Sequence, residues 1–371
     1  MKLRQRLAEH IELHHPLPWD LMDSGGRVVI RKGSVIDDPR ERETLARRGL
    51  YVDDALVDRA EAAPHRTLSE TDPFWQWENV YQRLTLSLRE SGPDPNFLNS
   101  ITQIAGDIET LTEKDSDASL FVVARLNATR YAIAHSLQTA LIAWMLARRM
   151  GMKASERNTL LKAALTMNIG MIELQKVLHE QEAPLTPDQK EAIRMHPIRG
   201  WQRLESLGVT DQTWLRAVAE HHETPDGKGY PGGRTMISPL AEVIHFADRY
   251  CAMIVGRAKR KAMPANRVAR ELFVAATSSG SKIGPLVVKE FGIYPPGNFV
   301  RLANGDVAIV IRRGSAVNSP VVSVIEDRTG YRYSEPVRRD TSVAEYAVTE
   351  VVAPEDVRCE VNPTRLYGYR R

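Results

Sequence analysis

The chain has 371 residues, enough for two or three domains that each bury a hydrophobic core. Hydrophobic residues make up 43% and charged residues 26%, ordinary values for a folded protein, so disorder is excluded as a description of the whole chain. The 50 Lys and Arg residues against 47 Asp and Glu residues give a net charge of +3, which does not indicate a DNA-binding or membrane-binding protein.

The amino-terminal segment, residues 1–16, carries charges throughout and has no apolar stretch of signal-peptide length. No run of 18 apolar residues occurs anywhere in the sequence. The two cysteines, Cys251 and Cys359, are too few for a disulfide framework, and neither lies in a CxxC pair. These features predict a cytoplasmic protein without membrane insertion.

Residues 1–60 are predicted to form a small α+β module. Two strand-like segments flank a turn at Gly25 and Gly26, and a helix beginning at Glu41 precedes a short strand. Residues 61–75 are polar and contain prolines, which is typical of a linker.

Residues 76–278 carry apolar side chains at spacings of three and four, which predicts a large helical domain. Residues 285–371 instead show alternating β-branched residues around an Asn-Gly-Asp turn, which predicts a small all-β, barrel-like domain. The predicted fold is mainly α: an all-helical core domain with a small α+β module before it and a small β-barrel-like domain after it.

The segment AEHHETPDGKGYPGG, residues 219–233, has the composition of a metal or phosphate site. Adjacent residues on a helix point about 100° apart, so His221 and His222 can serve one pocket only where a helix ends. Taken alone, these residues also fit an alternative, in which one histidine caps the helix carboxyl terminus and the other is solvated.

Three separated residues in the predicted helical domain are also of the ligand type: His135, His196 and Asp248. Each alone is more often structural, because buried histidines and acids are commonly satisfied by hydrogen bonds within the core. The glycine-rich turn could likewise be an ordinary loop or an anion-binding one.

The order of these motifs resembles the HD-GYP phosphohydrolases over about residues 120–270. The motifs are His135-Ser136, NIGM at 168–171, His196-Pro197-x-x-Gly200, HHE at 221–223, DGKGYP at 226–231 and ADRYCAM at 247–253. The family is a helical branch of the HD superfamily and uses two or three iron or manganese ions to hydrolyse cyclic di-GMP. The resemblance therefore implies a bacterial protein of cyclic di-GMP signalling.

The resemblance also implies roles for individual residues. The implied metal ligands are His135, His196, His221, His222 and Asp248. The implied family loop consists of Asp226, Gly227, Gly229, Tyr230 and Pro231. Arg257 and Arg260 match basic residues that contact substrate phosphate, although this stretch alone would equally be a solvated helix face.

The HD pair that gives the family its name is replaced in this chain. Met167, Asn168 and Met171 stand where the family has the His, Asp and Lys of its His-Asp-x-Gly-Lys motif, so no catalytic residue is assigned there. Cys251 replaces a further aspartate. A thioether is a poor ligand for manganese or ferrous iron, and a neutral amide cannot act as an anionic bridge between cations.

Two dications about 3.5–4 Å apart repel by roughly 18 kcal/mol at an effective dielectric of about 20, and here no carboxylate offsets that repulsion at position 168. We therefore expect one Fe or Mn ion, held by His196, His221 and His222, and no dinuclear centre.

Three hypotheses remain. The first is a degenerate member that binds cyclic di-GMP or a related nucleotide, or a diguanylate cyclase or PilZ-type protein partner, with hydrolysis lost or weak. The alternative is an active phosphodiesterase in which the hydroxide on one metal attacks phosphorus. The third is a scaffold whose ligand-type residues are relics. No DNA partner is expected.

Overall fold

The computed structural model describes residues 3–5, 21–23, 25, 27–30, 51–53, 72–88, 96–126, 131–254, 263, 265–357 and 361–369. The chain divides into two compact units, Met1–Glu70 and Thr71–Arg371.

The first unit contains four short antiparallel strands in the spatial order β1-β4-β2-β3. They are β1 (Leu3–Gln5), β2 (Leu21–Met22), β3 (Val28–Ile30) and β4 (Tyr51–Asp53). Asp23 begins the turn between β2 and β3, because its Oδ1 accepts hydrogen bonds from the amides of Gly25 and Arg27. The predicted helix from Glu41 lies outside the described residues.

The second unit begins with eleven helices in the described part of the chain. They are α1 (Pro73–Ser87), α2 (Phe97–Lys114), α3 (Ser116–Arg125), α4 (Tyr131–Arg149), α5 (Ala154–Thr166), α6 (Ile172–Glu180), α7 (Pro187–Ser206), α8 (Gln212–Glu220), α9 (Pro239–Ile254), α10 (Ala265–Ser279) and α11 (Ile283–Phe291). Helix α1 begins within the segment predicted as a linker, and residues 61–71 of that segment are outside the described residues.

Helix α4 is the centre of the helical bundle. Every residue from Tyr131 to Ala147 is buried, as expected for a helix that is surrounded by others on all sides. Trp144 is fully buried in this core and packs in one cluster with apolar residues of α1, α2, α5, α8 and α9. Side-chain caps fix where several helices start: Asp115 begins α3, Thr186 begins α7 and Asp211 begins α8. None of the described helices has the length and apolar character needed to cross a bilayer.

The carboxyl-terminal part is a five-stranded antiparallel sheet with the order β8-β7-β6-β5-β9. Its strands are β5 (Phe299–Leu302), β6 (Val307–Arg312), β7 (Val321–Glu326), β8 (Arg332–Asp340) and β9 (Val348–Val352), followed by a short helix, α12 (Pro363–Tyr367). The predicted mainly-α fold with a small sheet region is confirmed. The sheet has edges at β8 and β9 and does not close into a barrel within the described residues.

The two faces of the sheet pack against different partners. Ile309 and Ile311 of β6 pack with Phe121 of α3, whereas Val310 packs on the opposite face with other strand residues. Arg313, just after β6, donates hydrogen bonds to Asp117 and Glu290 and so ties the sheet to the helices. One face of the sheet is therefore docked on the helical bundle.

Candidate metal centre

Three histidine side chains converge where α7 meets the end of α8. The ligand atoms of His196, His221 and His222 all lie within 4.8 Å of one another. Helix α8 ends at Glu220, so the adjacent histidines lie on the turn that follows, where both can face one pocket. His196 and His221 are buried, and His222 is partly exposed.

Backbone carbonyls fix which nitrogen of two histidines faces the cluster. Nδ1 of His196 donates to the Ile193 carbonyl at 2.6 Å, and Nδ1 of His221 donates to the Val218 carbonyl at 2.7 Å. Because a carbonyl oxygen can only accept, each Nδ1 holds the proton and each Nε2 presents a lone pair. The two Nε2 atoms lie 3.2 Å apart, so their lone pairs face each other.

This arrangement fits a single bound metal ion. Metal–nitrogen distances of about 2.0–2.1 Å at tetrahedral or octahedral angles separate two ligand nitrogens by about 3 Å, close to the observed Nε2–Nε2 distance. Without an ion, the two facing lone pairs repel each other. An ion between the two nitrogens would instead be coordinated by both lone pairs. His222 would supply the third imidazole.

The three imidazoles are held in the neutral form that a metal requires. Burial and, to a smaller extent, the neighbouring His221 lower the pKa of His196 to about 3. Burial also lowers the pKa of His221 to about 4 and that of His222 well below its ordinary value. No proton therefore competes for these nitrogens at neutral pH.

His135 and Asp248 lie beside the cluster but are paired with each other. His135 Nε2 lies 2.6 Å from Asp248 Oδ1, and the other ring nitrogen of His135 has no partner in the described residues. Burial opposes ionisation of Asp248, but the hydrogen bond from His135 and the nearby histidines lower the pKa of this carboxyl well below its usual range. The pair places a carboxylate charge at the wall of the site.

Met167, Asn168 and Met171, the residues that the resemblance places at the HD motif, lie on the turn between α5 and α6. Met167 is completely buried and belongs to the hydrophobic core, so its thioether is not part of the polar site. Asn168 and Met171 line a cavity of about 210 Å³ together with His135, His222 and Asp248. Asn168 is 2% exposed, and its Oδ1 has no hydrogen-bond partner within the described residues.

The loop after the histidine pair is held against them by hydrogen bonds and stacking. Tyr230 stacks on His222 with ring centroids 4.5 Å apart, and its amide donates to the His222 carbonyl. The buried Glu223 carboxylate accepts from the amides of Gly232 and Arg234. A Cβ at Gly229 would lie 2.5 Å from backbone atoms of residues 222–224, so only glycine allows this close approach.

The rest of this loop makes its own short contacts. Asp226 accepts from the Thr224 hydroxyl and the Lys228 amide, and these hydrogen bonds lower its pKa to about 2. Gly227 has a φ of +71°, and the Pro231 carbonyl accepts from Arg194 of α7. The loop residues implied by the resemblance therefore form one structure beside His222.

The position of Cys251 contributes no ligand in the structure. Cys251 is fully buried in the hydrophobic core, where burial raises the pKa of its thiol. Arg257 and Arg260 lie outside the described residues, so their implied contact with phosphate stays a prediction.

Sequence reasoning missed an aromatic stack at the cavity wall. Tyr131 lies between two imidazoles, parallel to His135 at 5.3 Å and to His179 at 4.9 Å. Gln175 lines the same cavity with a buried Oε1 that has no partner in the described part of the chain. The four-residue spacing of Gln175 and His179 was the available signal for these two residues, since it places both on one face of α6.

His245 was also missed by sequence reasoning. Its Nδ1 donates a hydrogen bond to the His221 carbonyl at 3.1 Å.

Gly170 sets how closely the replaced motif approaches His196. A Cβ on Gly170 would lie 2.5 Å from the His196 carbonyl oxygen and 2.6 Å from the Gly200 amide nitrogen. We therefore expect Gly170→Ala to push α7 away, lowering the free energy of unfolding by about 1–3 kcal/mol and weakening metal binding. Urea unfolding and metal analysis measure both effects.

The matched control is Gly106→Ala on α2, where a Cβ would meet no atom within 4 Å. That substitution should raise stability by about 0.5–1 kcal/mol and leave metal binding unchanged. Equal stabilities for the two variants would show that the turn and α7 are not in close contact.

Comparison with known proteins identifies the helical core. Residues 122–275 match the family model described as HD domain, and this segment contains all five implied metal ligands. This segment of the chain is therefore similar to an HD domain, in agreement with the resemblance indicated by the order of the motifs.

The curated relatives are phosphodiesterases by name. Cyclic di-GMP phosphodiesterase PdeB of Borreliella burgdorferi is 27% identical over 194 residues, which are 52% of this chain and 51% of that protein. Cyclic di-GMP phosphodiesterase PA4108 of Pseudomonas aeruginosa is 25% identical over 60% of this chain and 55% of its own length. The 3'3'-cGAMP-specific phosphodiesterase 3 of Vibrio cholerae is 30% identical over 37% of this chain and 30% of its own length. The chain spans about half the length of the first two relatives.

Among solved structures, the chain is similar to Bd1817, described as a HDG"Y"P protein from Bdellovibrio bacteriovorus. The TM-score is 0.49 at 15% identity, covering 78% of this chain and 98% of that chain. A similarity of this extent does not by itself establish a shared function.

Proposed function

We propose that this chain is a regulatory HD domain protein that binds a cyclic dinucleotide beside a single metal ion and hydrolyses it weakly or not at all. One observation carries the proposal. The three-histidine cluster is intact, whereas Asn168, a neutral amide, lines the cavity where the family has an anionic aspartate.

The described residues support one ion and not two. His196, His221 and His222 would hold that ion through neutral imidazole nitrogens. A second ion would need a carboxylate bridge to offset repulsion between the cations. Asp248 is the carboxylate near the cluster, and it is already hydrogen-bonded to His135.

The nucleotide assignment rests on the relatives' names and on the character of the cavity. The relatives are named as phosphodiesterases of cyclic di-GMP or 3'3'-cGAMP. When bound, a metal ion would act as a Lewis acid toward a phosphate oxygen. Asn168 and Gln175 each offer a buried amide oxygen without a partner in the described residues, and these can accept hydrogen bonds from a nucleotide.

The test measures binding and turnover on the same sample. The protein is loaded anaerobically with Mn²⁺ or Fe²⁺, and cyclic di-GMP and 3'3'-cGAMP are titrated by calorimetry. We expect saturable binding of at least one nucleotide, and hydrolysis far below that of a relative with the complete motif. Turnover within tenfold of that relative would contradict the proposal, and absence of binding would favour the scaffold hypothesis.

A slow one-metal phosphodiesterase is the second candidate, and the intact histidine cluster favours it. His222→Ala distinguishes the two, because it removes the partly exposed imidazole that faces the cavity. Residual hydrolysis that disappears in this variant would assign the activity to the cluster. Hydrolysis that persists unchanged would come from a contaminant or from another site.

A diguanylate cyclase or PilZ-type protein remains the predicted partner class. The loop of residues 226–231 supports an interaction there, since Asp226 and Lys228 are exposed on it and Tyr230 of the same loop stacks on His222. A pull-down with the loop variant Lys228→Glu, compared with the native chain, measures whether this loop takes part.

A further inference from the structure

A second cavity, of about 360 Å³, lies between α3, α4 and α9 and the segments that flank β5 and β9. Its walls are largely apolar. They include Leu120, Val123, Ile142, Ile254, Phe299 and Val352. None of the residues that line this cavity is an implied metal ligand or a member of the 226–231 loop, so the cavity is distinct from the histidine cluster.

One polar group inside this apolar wall is unsatisfied. Tyr250 lines the cavity and is 2% exposed, and its hydroxyl has no hydrogen-bond partner in the described part of the chain. Its ring stacks on Phe291 with centroids 5.1 Å apart, which holds the side chain in place. A tyrosine hydroxyl is neutral at neutral pH and can donate a hydrogen bond. A buried donor without an acceptor is uncommon and indicates that a ligand or water supplies one.

Arg125, an exposed cation that makes no ion pair within the described residues, lines the cavity. The guanidinium carbon of Arg125 is 4.9 Å from the centroid of the Phe299 ring, within cation–π distance. Burial lowers the pKa of Arg125, and within the described residues no carboxylate or carbonyl offsets that effect. Asp356 is exposed at the rim and makes no ion pair with it. Arg125 is therefore available to an anion.

The wall beside Arg125 is formed by a close contact between the loop before β5 and α3. Gly297 has a φ of +93°, and a Cβ there would lie 2.7 Å from the Cβ of Ala124 on α3. The Gly297 amide donates to the Val310 carbonyl of β6 at 2.9 Å. The Pro-Pro-Gly loop before β5 is thus pressed onto α3, and the cavity keeps its shape without a ligand.

We propose that this cavity binds a small monocarboxylate with an aromatic body and a second hydrogen-bonding group. The carboxylate pairs with Arg125, the aromatic body lies against Phe299 and Ile142, and the second group accepts a hydrogen bond from Tyr250. A volume of about 360 Å³ with apolar walls and few polar groups is typical of small-molecule sites. The apolar walls disfavour inorganic anions, and Arg125 is the one cation among the described lining residues, which favours a ligand with a single negative charge.

The first experiment measures charge recognition on the whole chain. The probe is 3-(4-hydroxyphenyl)propionate, its neutral control is the corresponding primary amide, and calorimetry measures both. We expect saturable binding of the acid. The affinity for the amide should be lower by about tenfold, because a charge-assisted hydrogen bond is replaced by a neutral one.

Two arginine variants test whether the acid binds in this cavity. Arg125→Met should lower the affinity for the acid by about tenfold. The matched control is Arg148→Met, because Arg148 also lies over an aromatic ring, that of Trp144 at 5.5 Å, but does not line the cavity. Its affinity should match that of the native chain.

Tyr250→Phe separates a ligand contact from a structural role. The variant should lose affinity for the acid while unfolding at the same or a higher temperature, because it removes a buried unpaired hydroxyl. A change in stability without a change in affinity would contradict a hydrogen bond between the Tyr250 hydroxyl and the ligand.

The proposal is overturned by any of three results. One is no saturable binding of the acid by the native chain up to about 5 mM. Another is equal affinity for the acid and the amide. The last is equal loss of affinity in Arg125→Met and Arg148→Met, which would place the acid elsewhere or show only non-specific association.

Discussion

Replacing His221 with alanine should lower the affinity for Mn²⁺ or Fe²⁺ by at least about 100-fold, enough to leave the purified chain without stoichiometric metal. His221 is fully buried, and its Nε2 faces the Nε2 of His196 at 3.2 Å. Removing it leaves two imidazoles and an enlarged cavity, which no longer surround an ion. Metal analysis after anaerobic reconstitution and dialysis measures the effect.

The control is His179→Ala. His179 lines the neighbouring cavity and stacks on Tyr131, but it is not part of the three-histidine cluster. That variant should keep about one ion per chain, and circular dichroism should show that both variants are folded. Stoichiometric metal in His221→Ala would mean that the ion binds somewhere other than the cluster.

The helical domain could be predicted from the sequence because its signals are local. Apolar spacing gives the helices, and prolines, glycines and capping residues such as Thr186 and Asp211 mark where they begin and end. The adjacency of His221 and His222 also carried geometric information, since it required a helix end and the structure has one there.

The roles of the replaced residues could not be predicted individually. Met167 and Asn168 are neighbours in the sequence, yet one belongs to the hydrophobic core and the other lines the polar cavity. A turn directs successive side chains in different directions, and that direction depends on the packing of α7 against Gly170. The pairing of His135 with Asp248 likewise joins residues 113 positions apart.

The carboxyl-terminal sheet could likewise be predicted only in part from the sequence. Alternating β-branched residues correctly indicated strands in the carboxyl-terminal part, but alternation does not reveal what covers each face. Ile309 and Ile311 of β6 pack on the helical bundle, whereas Val310 packs with other residues of the sheet. Contacts between distant segments, such as Arg313 with Asp117, decide the outcome and leave no local signal.

Restoring the replaced motif should create or strongly increase hydrolysis of cyclic di-GMP. In the triple variant Met167→His, Asn168→Asp and Met171→Lys, we expect turnover at least about 100-fold above that of the native chain. The aspartate would place a carboxylate in the cavity lined by His222 and Asp248, where it can offset repulsion between two cations. Anaerobic loading with Mn²⁺ or Fe²⁺, followed by chromatography of the nucleotide products, measures the gain.

The triple variant should also lose stability when no metal is bound, and this loss provides a second measurement. Met167 is fully buried, so an imidazole there is unfavourable unless it reaches a metal ion, and the metal-free triple variant should be less stable by about 1–3 kcal/mol. Metal should therefore stabilise the triple variant more than the native chain. Adding His222→Ala should remove the gained activity if it arises at the cluster. A folded triple variant that binds two ions per chain yet gains no turnover would show that the HD positions are not what limits hydrolysis.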